Sequence, residues 1–230
     1  MEIQQIHLNQ CSSTQTELAE RKIKWEWGET LLVSTSLQTQ GKGRRGNTWI
    51  STPKALAFSF NLKPQNVVSL TSLELGILIC QFFESHYNVE LKLKWPNDIL
   101  NAKNAKVGGI LCQGQQKQVL AGIGLNLYSS SELNDLPYPA SGVFEERKES
   151  DGQIQSQVPH EIVEYVLSHR LSQDETLNRW QNLCAHQNLK VIITDHEHEH
   201  SGIFRGIDEY GRAVLENGNM QNISAGSLRF

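Results

Sequence analysis

Apolar residues recur along this chain with two spacings, every second position in some stretches and every third or fourth in others, and the alternation predicts its elements. Ile3, Ile6 and Leu8 mark a short strand ending near Cys11. Ser13 or Thr14 then caps a helix in which Thr14 and Glu17 have capping-box spacing and Leu18 and Ala19 lie on the inner face. Leu31, Leu32 and Val33 centre a strand from Thr30 to Ser36, and Ala55 to Leu62 alternates well enough to pair with it. Thr71 and Glu74 repeat the capping-box spacing ahead of a mostly buried helix, carrying Leu73, Ile77, Leu78, Cys80 and Phe82 and running to about His86.

From Val89 to Lys94, Leu91 and Leu93 share one strand face while Lys92 and Lys94 share the other. A polar turn, Asn101 to Asn104, precedes a strand through Lys106 and Leu111 and another from Val119 to Leu127. Ser129 to Pro159 reads as a solvated loop, with consecutive serines, Pro137 and Pro139, and a charged run from Glu145 to Asp151. Pro159 then starts a helix with Ile162, Val163, Val166, Leu167 and Leu171 on one face, and Asp174 caps another bearing Leu177, Trp180 and Leu183. Past Asn188 the pattern turns to short strands at Lys190–Thr194, Gly202–Ile207, Ala213–Glu216 and Gln221–Ser224, as expected of a small barrel.

A length of 230 residues accommodates one large domain and a small appendage. The pattern divides as residues 1–186 and 187–230, an α+β arrangement. Apolar runs are broken by polar residues every few positions and the start lacks a signal-peptide pattern, so no membrane partner is expected. Cys11, Cys80, Cys112 and Cys184 are widely separated, which fits a reducing cytoplasm rather than a disulfide scaffold or zinc ribbon. A net charge of −4 argues against bulk binding of DNA.

The cations are instead local. Gly41-Lys42-Gly43-Arg44-Arg45-Gly46 joins glycines, which free the backbone, to guanidinium forks that match phosphate or carboxylate oxygens. It satisfies the dinucleotide spacing G-x-G-x-x-G, yet Asn47 to Pro53 is β-branched, aromatic and proline-terminated where a helix should open. No Lys-Ser or Lys-Thr follows, which excludes a Walker loop. A solvated basic turn and an anion cradle both remain open. Pro96 places Asn97 and Asp98 at a strand lip, where they read either as a turn or as site residues. Gly108, Gly109, Gly122 and Gly124 thin neighbouring strands, as if a ligand lay across a sheet. His196 to His200 alternates histidine and glutamate; three imidazoles on one strand face could hold zinc, and a hairpin tip is the plainer reading.

Taken together, Ser13-Thr14-Gln15, the GKGRRG loop, Lys94-Trp95-Pro96-Asn97-Asp98, Lys106-Val107-Gly108-Gly109-Ile110-Leu111 and Gly122-Ile123-Gly124-Leu125-Asn126 resemble the biotin protein ligases, in order and across nearly the whole chain. The resemblance implies a class II aminoacyl-tRNA synthetase-like catalytic domain, a mixed sheet with helices, followed by an SH3-like barrel. It implies that biotin, ATP and Mg²⁺ are used to biotinylate a lysine of the biotin carboxyl carrier protein of acetyl-CoA carboxylase through biotinyl-5′-AMP. Arg44, Lys106 and Asp98 are then the catalytic residues. Ser13, Thr14, Gln15, Gln38, Lys42, Gly43, Arg44, Lys106 and Gly108 face biotin, and Arg44, Arg45, Trp49, Asn97 and Asn126 face the nucleotide. No protein metal site is implied, magnesium being held by ATP phosphates. Val143 and Phe144, in the loop, become candidates to meet adenine. Lys42 stands where the family has arginine, keeping the charge without the fork. The first strand begins within the opening residues, so no DNA-reading helix-turn-helix is expected ahead of it, and the family contains both monomers and homodimers. A lipoate or octanoate ligase and a non-catalytic biotin-binding regulator are the rival readings.

Overall fold

The computed structural model of the chain describes residues 2–21, 29–50, 52, 55–115, 117–145, 154–195 and 198–230. Strand β1 (Glu2–Leu8) leads to helix α1 (Thr14–Glu20), and β2 (Glu29–Thr35) is followed by a miniature hairpin, β3 (Gly41–Lys42) and β4 (Thr48–Trp49). After β5 (Leu56–Leu62) and helix α2 (Leu70–Tyr87) come β6 (Leu91–Lys94), β7 (Asp98–Asn101), β8 (Lys106–Gln115) and β9 (Gln118–Leu125). Helices α3 (Ile154–Ser168) and α4 (Gln173–Leu183) precede β10 (Lys190–Asp195), β11 (His198–Ile207), β12 (Ala213–Asn217), β13 (Asn219–Ile223) and β14 (Ser227–Arg229).

Seven strands form one sheet in the order β1-β2-β5-β9-β8-β7-β6. It is mixed, because β1 runs parallel to β2 while the other neighbours are antiparallel. Strand alternation decides what each face meets. On β5, Leu56, Phe58, Phe60 and Leu62 enter the main core with α2 and α3, so Ala57, Ser59 and Asn61 face the other way. On that second face Leu18 of α1 packs on Leu31, Val33 and Leu120, a patch far smaller than the main core. The rest of the face is left for a cavity.

Neither predicted capping box closes as such. Ser13 is the N-cap of α1 without a side-chain bond, and the Thr14 hydroxyl turns instead to Gln38 and Ser59. Helix α2 starts at Leu70; Thr71 Oγ1 accepts from the Gln65 N–H at 3.0 Å, and Glu74 is buried against Arg170. In both places a tertiary partner outcompetes the local bond. At α4 the cap is Ser172 with Glu175 rather than Asp174, both halves of the box being formed. Helix α3 is already formed at Ile154, ahead of Pro159, because Val158 extends the buried stripe Ile162, Val163 and Val166 by one turn.

The C-terminal strands form an antiparallel sheet, β13-β12-β11-β10-β14, and no pairing joins β13 to β14 among the described residues. The three-residue β14 carries no periodicity of its own and was invisible in the sequence. Across the division at residues 186 and 187 the core is continuous: Trp180, Val191, Ile193, Phe204 and Leu228 belong to the same cluster as Leu93 and Trp95. Trp95 Nε1 donates to the Gly211 carbonyl at 3.0 Å and Ser69 Oγ to that of Tyr210 at 2.7 Å. None of the described helices is long and apolar enough to cross a membrane.

Candidate active site

A cavity of about 440 Å³ opens over the sheet face that α1 leaves uncovered. Of the residues expected at a site, Ser13, Thr14, Gln15, Gln38, Lys42, Gly43, Arg44, Arg45, Trp49, Asn97, Asp98 and Lys106 line it. Gly108 and Asn126 do not. Gly108 pairs with Leu125, and a Cβ on it would strike the Leu125 side chain; one residue on, Gly109 pairs with Gly124 and faces the cavity, since a single step along a strand changes face. Asn126, past the end of β9, is buried where its Oδ1 accepts from Thr52 at 3.4 Å and its carbonyl from the Val143 N–H at 2.8 Å.

At one end the cavity has a neutral, buried corner. Gln15 Nε2 donates to the Leu120 carbonyl at 3.0 Å, which turns its Oε1 toward Ser59 Oγ at 3.1 Å. Ser59 Oγ lies 2.8 Å from Thr14 Oγ1, and Gln38 Oε1 accepts from the Thr14 N–H at 2.9 Å. Two β9 glycines make this possible: a Cβ at Gly122 would strike Gln15 Oε1, and one at Gly124 would lie 2.5 Å from the Trp49 ring. The strands are thinned to seat the protein's own side chains, which then meet the cavity. Trp49 Nε1 is buried with no partner among the described residues, so a donor remains unused there.

The other end is charged. Lys106 Nζ lies 2.6 Å from Asp98 Oδ1 and Lys94 Nζ 3.3 Å from Asp98 Oδ2. Register brings these together, because Lys94 pairs with Asp98 across β6 and β7. Arg44 Nη1 donates to Asn97 Oδ1 at 3.1 Å, and Asn97 Nδ2 to the Ile110 carbonyl at 2.8 Å. Burial, then the neighbouring Arg45 charge, lowers the Arg44 pKa, with Asp98 opposing; the guanidinium stays charged and poorly solvated. Such a cation binds an anion strongly because little water must be displaced.

The basic loop folds as a hairpin rather than a helix start. A Cβ at Gly41 would come 2.5 Å from the Trp49 carbonyl, Arg45 has φ 54° and Gly46 φ 77°, so the turn needs a close approach and two left-handed residues. Arg45 Nη1 reaches the Thr194 carbonyl at 3.2 Å, tying the loop to β10, and Lys42 Nζ reaches Thr16 Oγ1 at 2.8 Å.

Sequence reasoning missed Ser59, Lys94, Leu136, Pro137, Tyr138 and the segment Gly226-Ser227-Leu228, all of which line the cavity. The polar residue inside the apolar alternation of β5 was the available signal for Ser59, and the second lysine of the Leu-Lys alternation that for Lys94. Nothing local marks Gly226 to Leu228. From the long loop, Tyr138 covers the Lys106 ammonium at 5.3 Å, whereas Val143 is buried in the core and Phe144 packs on Phe83, Tyr87 and Tyr128. The loop residues expected to meet adenine thus face inward, and Leu136 to Tyr138 face the cavity instead.

Of the His196–His200 cluster, His196 and Glu197 lie outside the described residues. His200 Nε2 bonds Asp195 Oδ2 at 3.1 Å and His198 Nδ1 lies 3.9 Å from Asp195 Oδ1. Among the described residues no group of three or more His, Cys, Asp or Glu is placed to hold a metal.

Residues 8–127 match the Biotin/lipoate A/B protein ligase family. Over 230 aligned residues the chain is 26% identical to the biotin–acetyl-CoA-carboxylase ligase of Mycobacterium tuberculosis, covering 95% of this chain and 86% of that protein. It is 36% identical to the chloroplastic biotin–protein ligase 1 of Arabidopsis thaliana over 106 residues, 40% of this chain and 28% of that longer protein. The structure of biotin protein ligase from Aquifex aeolicus in complex with biotin and ATP superposes with a TM-score of 0.78 at 26% identity, covering 98% of both chains.

Proposed function

The chain belongs to the Biotin/lipoate A/B protein ligase family, and from that premise we propose that it attaches biotin to a lysine of a biotin carboxyl carrier protein, with acetyl-CoA carboxylase as the carrier's enzyme. The observation that carries this reading is the polarity of the cavity, a buried neutral hydrogen-bonding corner at one end and Arg44, Lys94 and Lys106 at the other. Biotin has the same two ends, a cyclic urea and a carboxylate. Lipoate and octanoate carry the carboxylate but would set apolar groups against Thr14, Gln15 and Gln38. Each unmatched polar group costs about 1–3 kcal/mol, enough to select the urea.

In the first step a biotin carboxylate oxygen attacks the α-phosphorus of ATP; the P–O bond forms as the bond to pyrophosphate breaks, leaving biotinyl-5′-AMP. In the second the neutral ε-amine of the carrier lysine attacks the acyl carbon, a C–N bond forms, AMP leaves, and the amine proton passes to solvent. Both steps move negative charge among oxygens beside Arg44 and Lys106, and cations fixed beforehand stabilise that charge without reorganising. Asn97 holds the Arg44 fork and Asp98 holds Lys106 until an incoming anion draws the ammonium away. Arg45 braces the loop on β10, and Gly43 and Lys42 border the path of the acid. Trp49, on the cavity wall, offers the nucleotide a flat face. Among the described residues lining the cavity Asp98 is the sole carboxylate, and two lysines engage it, which fits Mg²⁺ arriving on ATP phosphates rather than in a protein cage.

Native mass spectrometry after incubation with Mg-ATP and biotin, lipoate or octanoate tests the reading. Retained adenylate is expected with biotin alone and lost in Arg44→Ala. A folded protein that adenylates no acid, or prefers lipoate, refutes it.

A further inference from the structure

The neutral corner has three oxygen-to-oxygen contacts and only two hydroxyl protons. Thr14 Oγ1 lies 3.2 Å from Gln38 Oε1 and 2.8 Å from Ser59 Oγ, and Ser59 Oγ lies 3.1 Å from Gln15 Oε1. Both glutamine oxygens can only accept, and both orientations are set elsewhere, Gln15 by its donation to the Leu120 carbonyl and Gln38 by acceptance from the Thr14 N–H. One contact must therefore lack a proton. Were it the one to Gln15, a buried carbonyl would be left without a donor, since Gln15 is 5% exposed. Were it the one between hydroxyls, two sets of lone pairs would face each other across the shortest of the three distances. Gln38 Oε1 alone has a second donor, so the protonless contact is Thr14 to Gln38.

We infer that Ser59 fixes the direction of this chain and is a specificity-determining residue: it donates to Gln15, absorbs the only proton of Thr14, and leaves Thr14 Oγ1 as a pure acceptor facing the cavity. The corner then demands an N–H from its ligand at that point. Ser59 borders the cavity with no exposed surface, and its lone pair and proton are taken by Thr14 and Gln15, so it acts through them as a positioning residue. Without its oxygen the Thr14 proton is no longer committed: it can turn to Gln38 Oε1, 3.2 Å away and already bonded by the Thr14 N–H, or to an acceptor in the cavity, so the hydroxyl can donate to a ligand as well as accept. The inference rests on the biotin reading above and concerns which atom of the head group is recognised.

The experiment is calorimetric titration of the full chain, without ATP, with biotin and with a cyclic-carbamate analogue in which the ring N–H facing Thr14 is replaced by oxygen, a change of polarity at nearly constant shape. The parent is expected to prefer biotin by about tenfold or more, the penalty of an unmatched acceptor pair. Ser59→Ala is expected to narrow that ratio to about threefold or less, and Ser59→Thr, which keeps the hydroxyl, to restore it. Because the ratio is taken within one preparation, partial unfolding of a variant does not enter it. A Ser59→Ala chain that weakens both ligands equally overturns the inference, leaving Ser59 a packing residue, as does a parent that fails to discriminate. A parent that binds the analogue but not biotin also overturns it. A parent that binds neither overturns the biotin reading itself.

Discussion

Glu74 and Asp98 both meet cations inside this fold, in opposite settings. Glu74, on α2, is fully buried and saturated: Arg170 Nε and Nη2 each donate to it at 2.8 Å, and the Leu171 N–H at 2.9 Å. Asp98, at the start of β7, is 15% exposed, lines the cavity and is shared by two ammonium groups. A guanidinium fork against a buried carboxylate has one geometry, whereas an ammonium on a flexible stem can turn to a new anion. The first pair clamps α2 to the connection between α3 and α4; the second leaves two ammonium groups on the cavity wall, on stems able to turn to an anion.

The sharpest break of that contrast is Glu74→Ala, which removes a buried carboxylate accepting three hydrogen bonds and leaves Arg170, 26% exposed, with the Lys63 carbonyl and solvent; it should cost about 2–3 kcal/mol in denaturant unfolding, with biotin affinity of the folded fraction unchanged. A loss of affinity instead would place Glu74 in the site. Asp98→Asn should do the reverse, cutting the rate of adenylate formation about tenfold while changing unfolding by under about 1 kcal/mol, as suits a partly exposed pair. Equal damage to both would erase the distinction.

A third buried titratable group extends the comparison. His186 is fully buried, its Nε2 has no partner among the described residues, and burial, with Lys94 adding repulsion, lowers its pKa from the ordinary 6.5 to about 3. The folded chain thus binds fewer protons than the unfolded one between those values. Its contribution is complete above pH 6.5 and lost as pH falls toward 3. By pH 5.5 the loss should reach about 1 kcal/mol, and His186→Phe should flatten this part of the stability profile; an unchanged profile would show that the imidazole is not the titrating group. Smallest of all, Lys103→Ala removes the exposed pair with Glu145 and should leave the melting temperature where it was.

Much of this was legible before any coordinates. Period-two and helical spacings placed the helices and the strands of the large sheet other than β7, which read as a turn after Pro96, because one face of each must be apolar. The basic loop stood out because its glycines and guanidinium forks suit an anion, whereas Asn97, Asp98 and Lys106 stood out through the family resemblance of their motifs. Thr14 and Glu74 misled for one reason: each has the spacing of a cap, and each is taken by a partner distant in sequence, Ser59 and Arg170 respectively. Gly108 misled by one step of strand register. Val143 and Phe144 misled because an apolar residue in a polar loop can turn to a ligand or to the core, and composition does not say which.

By itself, then, the sequence determined most of the longer elements and their apolar faces, which follow from local spacing, and its motifs carried the chemical kind of the site through their family resemblance. The tertiary structure alone decided which hydroxyl meets which amide, that Ser59 and Gly226 to Leu228 border the cavity, and that Glu74 is buried against Arg170 while Asp98 lines the cavity. Those outcomes depend on partners tens of residues apart, and only the closed fold chooses among the bonds that each polar side chain could make.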